Sequence, residues 1–241
     1  FTDMKYAGLD GVETMEHPLR SEATTKIIKE LIEQHELPLI GSSYGAELWD
    51  RSKQNKIFED VENIMRNMAS VKARTFGVTV GHPSGRIKTE AEFDAQAELL
   101  IKMIALGKKN GIVLNLHNHT QEVENNLFEL KGTLKRIPDI RLGPDLDWLR
   151  RAKIDPNEFL KEYKDNIVFL HLRDQLASGK WSESIGEGVV DFKKIATTLE
   201  TIGFKGDIIL ELAHEDGFEP TRPIKESLKM SRDSVRKTMG I

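Results

Sequence analysis

Nine residues decide how this chain is read: "IVLNLHNHT", residues 112–120. An apolar, β-prone run leads straight into His117, Asn118 and His119. Gly111 precedes the run and follows a long amphipathic pattern, as a glycine just past a helix C-terminus does. A helix, a glycine, a short strand and then polar residues at its tip make one unit of an alternating α/β fold. A histidine at a strand tip stands on a rigid platform, where it is either a chemical tool or a polar cap on a core strand. What decides is whether other strands carry matching residues to the same end.

The alternation continues in both directions. Strand-like runs fall near residues 11–15, 37–42, 75–80, 112–117, 140–145, 167–172 and 207–212. Helical periodicity lies between them. Ile27, Ile28, Leu31 and Ile32 repeat through 24–34, and Phe93, Leu99, Leu100, Met103 and Ile104 through 92–109. Further helices are predicted at 127–134, 156–163, 192–202 and 224–239. Asp155-Pro156 reads as an N-cap followed by the first helical residue. Gly203 and Gly206 bracket a helix-to-strand turn, and "GHPSG" (81–85) is a loop.

Strands alternating with helices imply parallel strands joined by crossover helices. A βα repeat of roughly 30 residues suits an eight-stranded (β/α)8 TIM barrel as well as a doubly wound sheet. The doubly wound alternative wants a glycine-rich phosphate loop after its first strand, but "GLDGVET" has no Gly-x-Gly-x-x-Gly, and there is no Walker A sequence. No linker, low-complexity tract or break in composition interrupts the chain, so residues 1–241 read as a single domain. Residues 1–7 read as the end of a helix stopped by Gly8. Most of the first β/α unit of an eight-stranded barrel is therefore expected to be absent from this sequence.

Bulk composition narrows the function. The 241 residues are 39% hydrophobic, enough for a sizeable core. Acidic residues outnumber basic ones, 39 to 35, for a net charge of −4, which argues against a nucleic-acid surface. There are no cysteines, so disulfides, thiolate metal sites and a cysteine nucleophile are excluded. No apolar run approaches the roughly 20 residues needed to span a bilayer, and no signal peptide is visible. No membrane partner is expected, and the compartment, cytoplasmic or periplasmic, stays open.

The strand ends carry the chemistry. "IVLNL" ends in His117, "IRLGPD" in Asp145, "IVFL" in His171 and "DIIL" in Glu211. The intervals each accommodate one βα repeat with its loops, and in a barrel the C-terminal strand ends meet on one face, where catalytic groups collect. Nitrogen and carboxylate donors without thiolate suit Mn²⁺, Zn²⁺, Co²⁺ or Fe²⁺ better than Ca²⁺. Glu122 could swing back to the same place, and Glu13, ending the first strand, could reach the ligand pocket. Any one of these residues alone is more often a turn former or a capped core residue. Four ionisable ligand types in succession are harder to explain that way.

These residues resemble the xylose isomerase-like TIM-barrel superfamily, the sugar phosphate isomerase/epimerase group. "AGLDGVET" is similar to its second-strand motif, "GIVLNLHNHT" to its fifth, "LGPDLDWLRRAKIDP" to its sixth, "VFLHLRD" to its seventh and "GDIILELAHE" to its eighth. "IGEGVVDFKKI" is similar to the loop and helix after the seventh strand. The resemblance implies one divalent metal ion (Mn²⁺, Zn²⁺, Co²⁺ or Mg²⁺) held by Asp145, His171 and Glu211 from strands six to eight. Asp145 is preferred to Asp147 because Trp148 falls three residues after it, as in family members. Strand five departs from the pattern: Glu-Asn-His is replaced by His117-Asn118-His119. Some branches carry His-x-His followed by a glutamate, so the fourth ligand is either His117 or Glu122.

The implied reaction is sugar isomerisation or epimerisation on a keto sugar, polyol or sugar derivative, through a metal-stabilised enediolate. Glu211, His119 and Glu122 are the expected proton-transferring groups. Losing the strand-five glutamate weakens simple two-base epimerisation. Because a histidine can protonate a departing oxygen, a dehydratase or lyase acting on a keto sugar or keto-glycoside is the alternative. A non-catalytic sugar-binding or accessory subunit is the second. Glu13, His82, Trp148 and Arg173 are expected to touch substrate. Asp174 would orient His171 or a neighbouring cation, or serve a loop, and Trp181 would stack on a sugar or cover the barrel top. An AP endonuclease IV-like DNA repair enzyme fits poorly, because Trp148 stands where such enzymes place a histidine. The partner is thus a small-molecule carbohydrate, read as non-phosphorylated for want of a glycine-rich phosphate loop. Barrel enzymes of this size often pair, so a homo-oligomer is an open expectation.

Overall fold

A computed structural model describes residues 1–240. The chain separates into two compact units, one spanning Gly11–Gly143 and the other built from residues 1–10 together with Pro144 onward.

The Gly11–Gly143 unit holds four parallel strands in sequential order: β1 (Val12–Met15), β2 (Leu39–Gly45), β3 (Thr75–Thr79) and β4 (Val113–Leu116). A single 3₁₀ turn (His17–Leu19) and helix α2 (Glu22–His35) connect the first pair. Helices α3 (Gln54–Ser70) and α4 (Glu90–Asn110) make the later crossovers, and α5 (Thr120–Leu134) follows β4. Register pairs Ser43 with Gly77 and Gly77 with Asn115. Because side chains alternate across a pleated strand, these small and polar residues share one face. The other face carries Ile40, Tyr44, Phe76, Val78, Leu114 and Leu116, all buried. Helix α4 starts with a capping box in which Thr89 and Glu92 satisfy each other's backbone N–H groups, and it ends at left-handed Gly111 (φ 71°), as the sequence indicates.

The second unit starts with α1 (Thr2–Ala7), which Gly8 terminates, as expected. It continues with α6 (Leu146–Arg151), α7 (Pro156–Glu162), β5 (Phe169–Leu172), α8 (Phe192–Thr201), β6 (Asp207–Leu210) and α9 (Ile224–Met239). Strands β5 and β6 pair in parallel. Helices α1 and α9 are tied by a Tyr6–Glu226 hydrogen bond of 2.9 Å and an Asp10–Arg236 ion pair of 3.1 Å. Gly206 is required in the turn before β6, because a Cβ there would run into the Val168 carbonyl.

Three expectations change. The strand expected at 140–145 is not continuous: Leu142 bridges Leu116 in the first unit, and Asp145 bridges His171 in the second. Pro144 between them has no N–H to donate, so pairing is confined to single bridges. Helices α3 and α6 lie outside the predicted set. The helix predicted over 127–134 is the second half of α5, which begins at Thr120 and is interrupted at 124–127, where Asn125, Asn126 and Leu127 have φ of 51°, 58° and 62°.

Candidate active site

The second unit places several of the predicted residues together. Asp145 is fully buried and caps α6: its Oδ1 accepts the backbone N–H groups of Asp147 at 2.9 Å and Trp148 at 3.3 Å. His171 is buried in β5, with its backbone N–H on the Pro144 carbonyl at 3.0 Å. Glu211 directly follows β6, its N–H on the Leu172 carbonyl at 3.0 Å. The ends of β5, β6 and the 144–145 segment thus set an aspartate, a histidine and a glutamate side by side.

A guanidinium joins the two carboxylates. Arg173 Nε donates to Asp145 Oδ2 at 2.7 Å, and its Nη2 pairs with Glu211 Oε1 at 2.6 Å. Asp145 and Arg173 are 0% and 5% exposed, whereas Glu211 is 35% exposed and reaches solvent. Burial pushes the Asp145 carboxyl above its ordinary range. Arg173 opposes that rise, Glu211 adds to it and His171 offsets part of it.

Aromatic rings roof this group. Trp148 and Trp181 meet edge to face at 5.3 Å and 88°. Arg173 lies over both, 4.6 Å from the Trp181 ring centre and 5.5 Å from that of Trp148. Arg151 lies over both as well, at 4.2 and 5.3 Å. Asp147 is buried in the first turn of α6. It accepts the Trp181 indole N–H at 2.7 Å and Arg151 Nε at 3.2 Å. Arg151 also reaches Glu215 at 3.2 Å, which receives the Trp181 backbone N–H at 3.1 Å.

Asp174 takes the loop role. Its carboxylate accepts backbone N–H groups from Gly186 (2.7 Å), Gly188 (2.8 Å), Gln175 (2.8 Å) and Val190 (3.2 Å). It therefore organises the Gly-Glu-Gly loop. Glu187 of that loop pairs with Arg222 at 2.6 Å.

In the four-stranded unit His117, His119 and Glu122 form a second cluster. His117 is buried just past β4, its N–H on the Val78 carbonyl at 3.0 Å. The His117 and His119 rings stand 5.2 Å apart and nearly perpendicular. Glu122 is buried and bends back to accept the His119 backbone N–H at 3.0 Å, while the His119 side chain is half exposed. Glu13 lies in β1, with its carboxylate near the position a Gly77 Cβ would take. His82 is exposed in the loop after β3, three residues past its end.

Sequence reasoning did not find the buried network behind this second cluster. Lys88 Nζ donates to Gln96 at 2.6 Å and to Glu129 at 2.7 Å, and Gln96 reaches Thr133 at 2.8 Å. Desolvation lowers the Lys88 pKa against the pull of Glu129, and raises that of Glu129 against the pull of Lys88. The partners come from a loop and two helices, so no local motif announces them.

Among the described residues, no group of three or more His, Cys, Asp or Glu side chains is arranged to hold a metal ion. The donor chemistry nonetheless fits one. Two carboxylates already converge on a shared cation, and an imidazole stands on the adjacent strand. No helix among the described residues is long and apolar enough to cross a membrane.

A family model for the xylose isomerase-like TIM barrel matches residues 1–234. No curated protein sequence matches the chain. Among solved structures, a sugar phosphate isomerase/epimerase from Parabacteroides distasonis shares 18% identity at a TM-score of 0.76, covering 98% of this chain and 86% of that one. A D-psicose 3-epimerase, solved in the presence of D-fructose, has 13% identity and a TM-score of 0.82, covering 98% and 91%. The 3-keto-D-glucoside 4-epimerase from E. coli has 16% identity and a TM-score of 0.72, covering 95% and 91%. At these identities the likeness is one of fold.

Proposed function

Because the chain belongs to the xylose isomerase-like TIM-barrel family, we propose that it is a divalent-ion-dependent isomerase or epimerase of a keto sugar, polyol or sugar derivative. The observation that carries this reading is the convergence of the Asp145 and Glu211 carboxylates on one cation beside His171. The family match runs through both units, which supports reading residues 1–241 as one domain. Three similar folds belong to sugar isomerases and epimerases, which supports a carbohydrate substrate.

In this reading Asp145, His171 and Glu211 hold the ion. When bound, it supplies a Lewis acid that stabilises the negative charge left when a proton departs beside a carbonyl. The chain does the rest. Asp145 is fixed by the α6 N–H groups, so its Oδ2 is preset in direction. Glu211 is rooted by its backbone at β6 and open to solvent, and it takes the α-proton from substrate and returns it. Arg173 offers donors to the oxygens of a sugar, and Trp148 and Trp181, with the Arg173 and Arg151 guanidinia over their rings, are the aromatic groups beside it.

A dehydratase or lyase on the same chemistry is favoured by one observation. The His117–His119 ring pair just past β4 includes a half-exposed imidazole, His119, of the kind that protonates a departing oxygen. Here Glu122 sets the His119 backbone, and its carboxylate is the second candidate base.

The test is the metal content of the purified protein beside its Asp145→Ala variant. About one divalent ion per chain, lost in Asp145→Ala, is expected. No ion in the wild type after Mn²⁺ is supplied would sink the reading and favour an accessory, non-catalytic subunit. His117→Ala and Glu122→Ala in the same series test the expectation that one of them is a fourth donor.

A further inference from the structure

We infer that Arg173 is a positioning residue that stands in for the ion: its guanidinium clasps the Asp145 and Glu211 carboxylates, and a divalent cation binds there only by displacing it. This rests on the reading of Asp145, His171 and Glu211 as ion ligands.

The geometry leaves little choice at Asp145. Oδ1 is committed to two backbone N–H groups at the start of α6, which cannot leave without unwinding that turn. Oδ2 is therefore the oxygen a cation must use, and Arg173 Nε sits on it at 2.7 Å. The second carboxylate is engaged by the same guanidinium, through Nη2 on Glu211 Oε1 at 2.6 Å. One side chain thus spans both oxygens. Arginine keeps its charge at every accessible pH, so it cannot yield by losing a proton. A second cation sharing Oδ2 at hydrogen-bond distance from Nε would meet like charge in a buried place. The two cations exclude each other.

Arg173 also has somewhere to go. Its guanidinium already lies 4.6 Å from the Trp181 ring centre and 5.5 Å from that of Trp148, so it can slide off the carboxylates while keeping its cation–π contacts. There its N–H groups turn from holding ligands to meeting an oxygen-rich ligand. Loading the ion and presenting Arg173 to substrate become one event. In the unloaded protein the same clasp keeps two close carboxylates from repelling each other.

Calorimetric titration of Mn²⁺ into metal-stripped wild type, Arg173→Gln, Arg173→Lys and Asp145→Ala tests this. Removing the competitor should tighten Mn²⁺ binding by about tenfold in Arg173→Gln, the scale of an ordinary coupling between two ligands. Arg173→Lys should fall between, since an ammonium lacks the planar fork that spans two carboxylates. The metal-free Arg173→Gln protein should melt lower than wild type and regain more on saturation with Mn²⁺. Should Arg173→Gln not fold, Arg173→Lys carries the same comparison. Binding that is unchanged or weaker in the arginine variants, while wild type binds and Asp145→Ala does not, overturns the inference and leaves the ion site standing. No binding by wild type or by either arginine variant overturns both.

Discussion

Asp145 divides its labour between its two oxygens, and the division can be measured. Oδ1 serves a helix and Oδ2 serves a cation. Asp145→Asn keeps an acceptor for the α6 backbone but loses the charge, whereas Asp145→Ala loses both. Urea unfolding of the metal-free variants should find Asp145→Ala less stable than Asp145→Asn by about 1 kcal/mol, the usual value of an N-cap. Equal stabilities would mean that the cap contributes nothing. Lys88 offers a second case. Its ammonium is fully buried against Glu129, and stripping one partner from a buried pair strands a charge. Lys88→Met should destabilise by about 3–5 kcal/mol, and the double variant Lys88→Met/Glu129→Met by clearly less. A double variant as unstable as the sum of its singles would show that the two side chains do not interact. Neither role is visible in the sequence. Asp145 was legible as a strand-end ligand type, but its guanidinium partner lies 28 positions on, and Lys88 and Glu129 lie 41 apart.

At the scale of elements, caps and breaks explain most of what was and was not foreseen. The start of α4 rests on Glu92, whose carboxylate is held at about 2 by Arg86 and by the Thr89 N–H and hydroxyl. That lies below its unfolded value of 4.5. A carboxylate depressed on folding adds stability that is complete above the unfolded value and is lost as pH falls toward the folded one. Glu92→Gln should therefore cost about 1 kcal/mol at pH 7, discounted for the exposed Arg86, and less as pH drops from about 4.5 to about 2. Denaturation curves at pH 7 and pH 3 check this, and a difference that grows at pH 3 would contradict it. Helix α4 was readable from its periodicity and from Gly111 at its end. Helix α3 has equally regular buried positions at Ile57, Val61, Ile64, Met65 and Met68, but its N-cap, Lys53, makes no side-chain capping bond, so nothing flags its beginning. The 140–145 segment reads as a strand by composition and is reduced to two bridges by Pro144. Inside α5, Asn125 and Asn126 are of the type that enters the left-handed region most readily, whereas the local sequence gives no reason for Leu127 to follow them.

For the whole molecule, parallel strands with crossover helices were legible from the alternation itself, and the family match over residues 1–234 agrees with the resemblance seen in the strand-end motifs. Those motifs were informative because a strand ends where its side chains must do something other than pack. The substrate was not legible, because hydroxyl recognition is spread over loops whose lengths and partners vary freely. Proton removal beside a sugar carbonyl, with the help of a divalent ion, is what the proposed function requires of this chain. The most direct measurement is solvent deuterium uptake by NMR, with a panel of ketoses, keto-glycosides and keto-polyols in D₂O and Mn²⁺. Deuterium should enter at the carbon next to the carbonyl of at least one of them, and a chelator or Glu211→Gln should abolish the uptake. Uptake by no member of the panel, or uptake indifferent to both the chelator and Glu211→Gln, would contradict it.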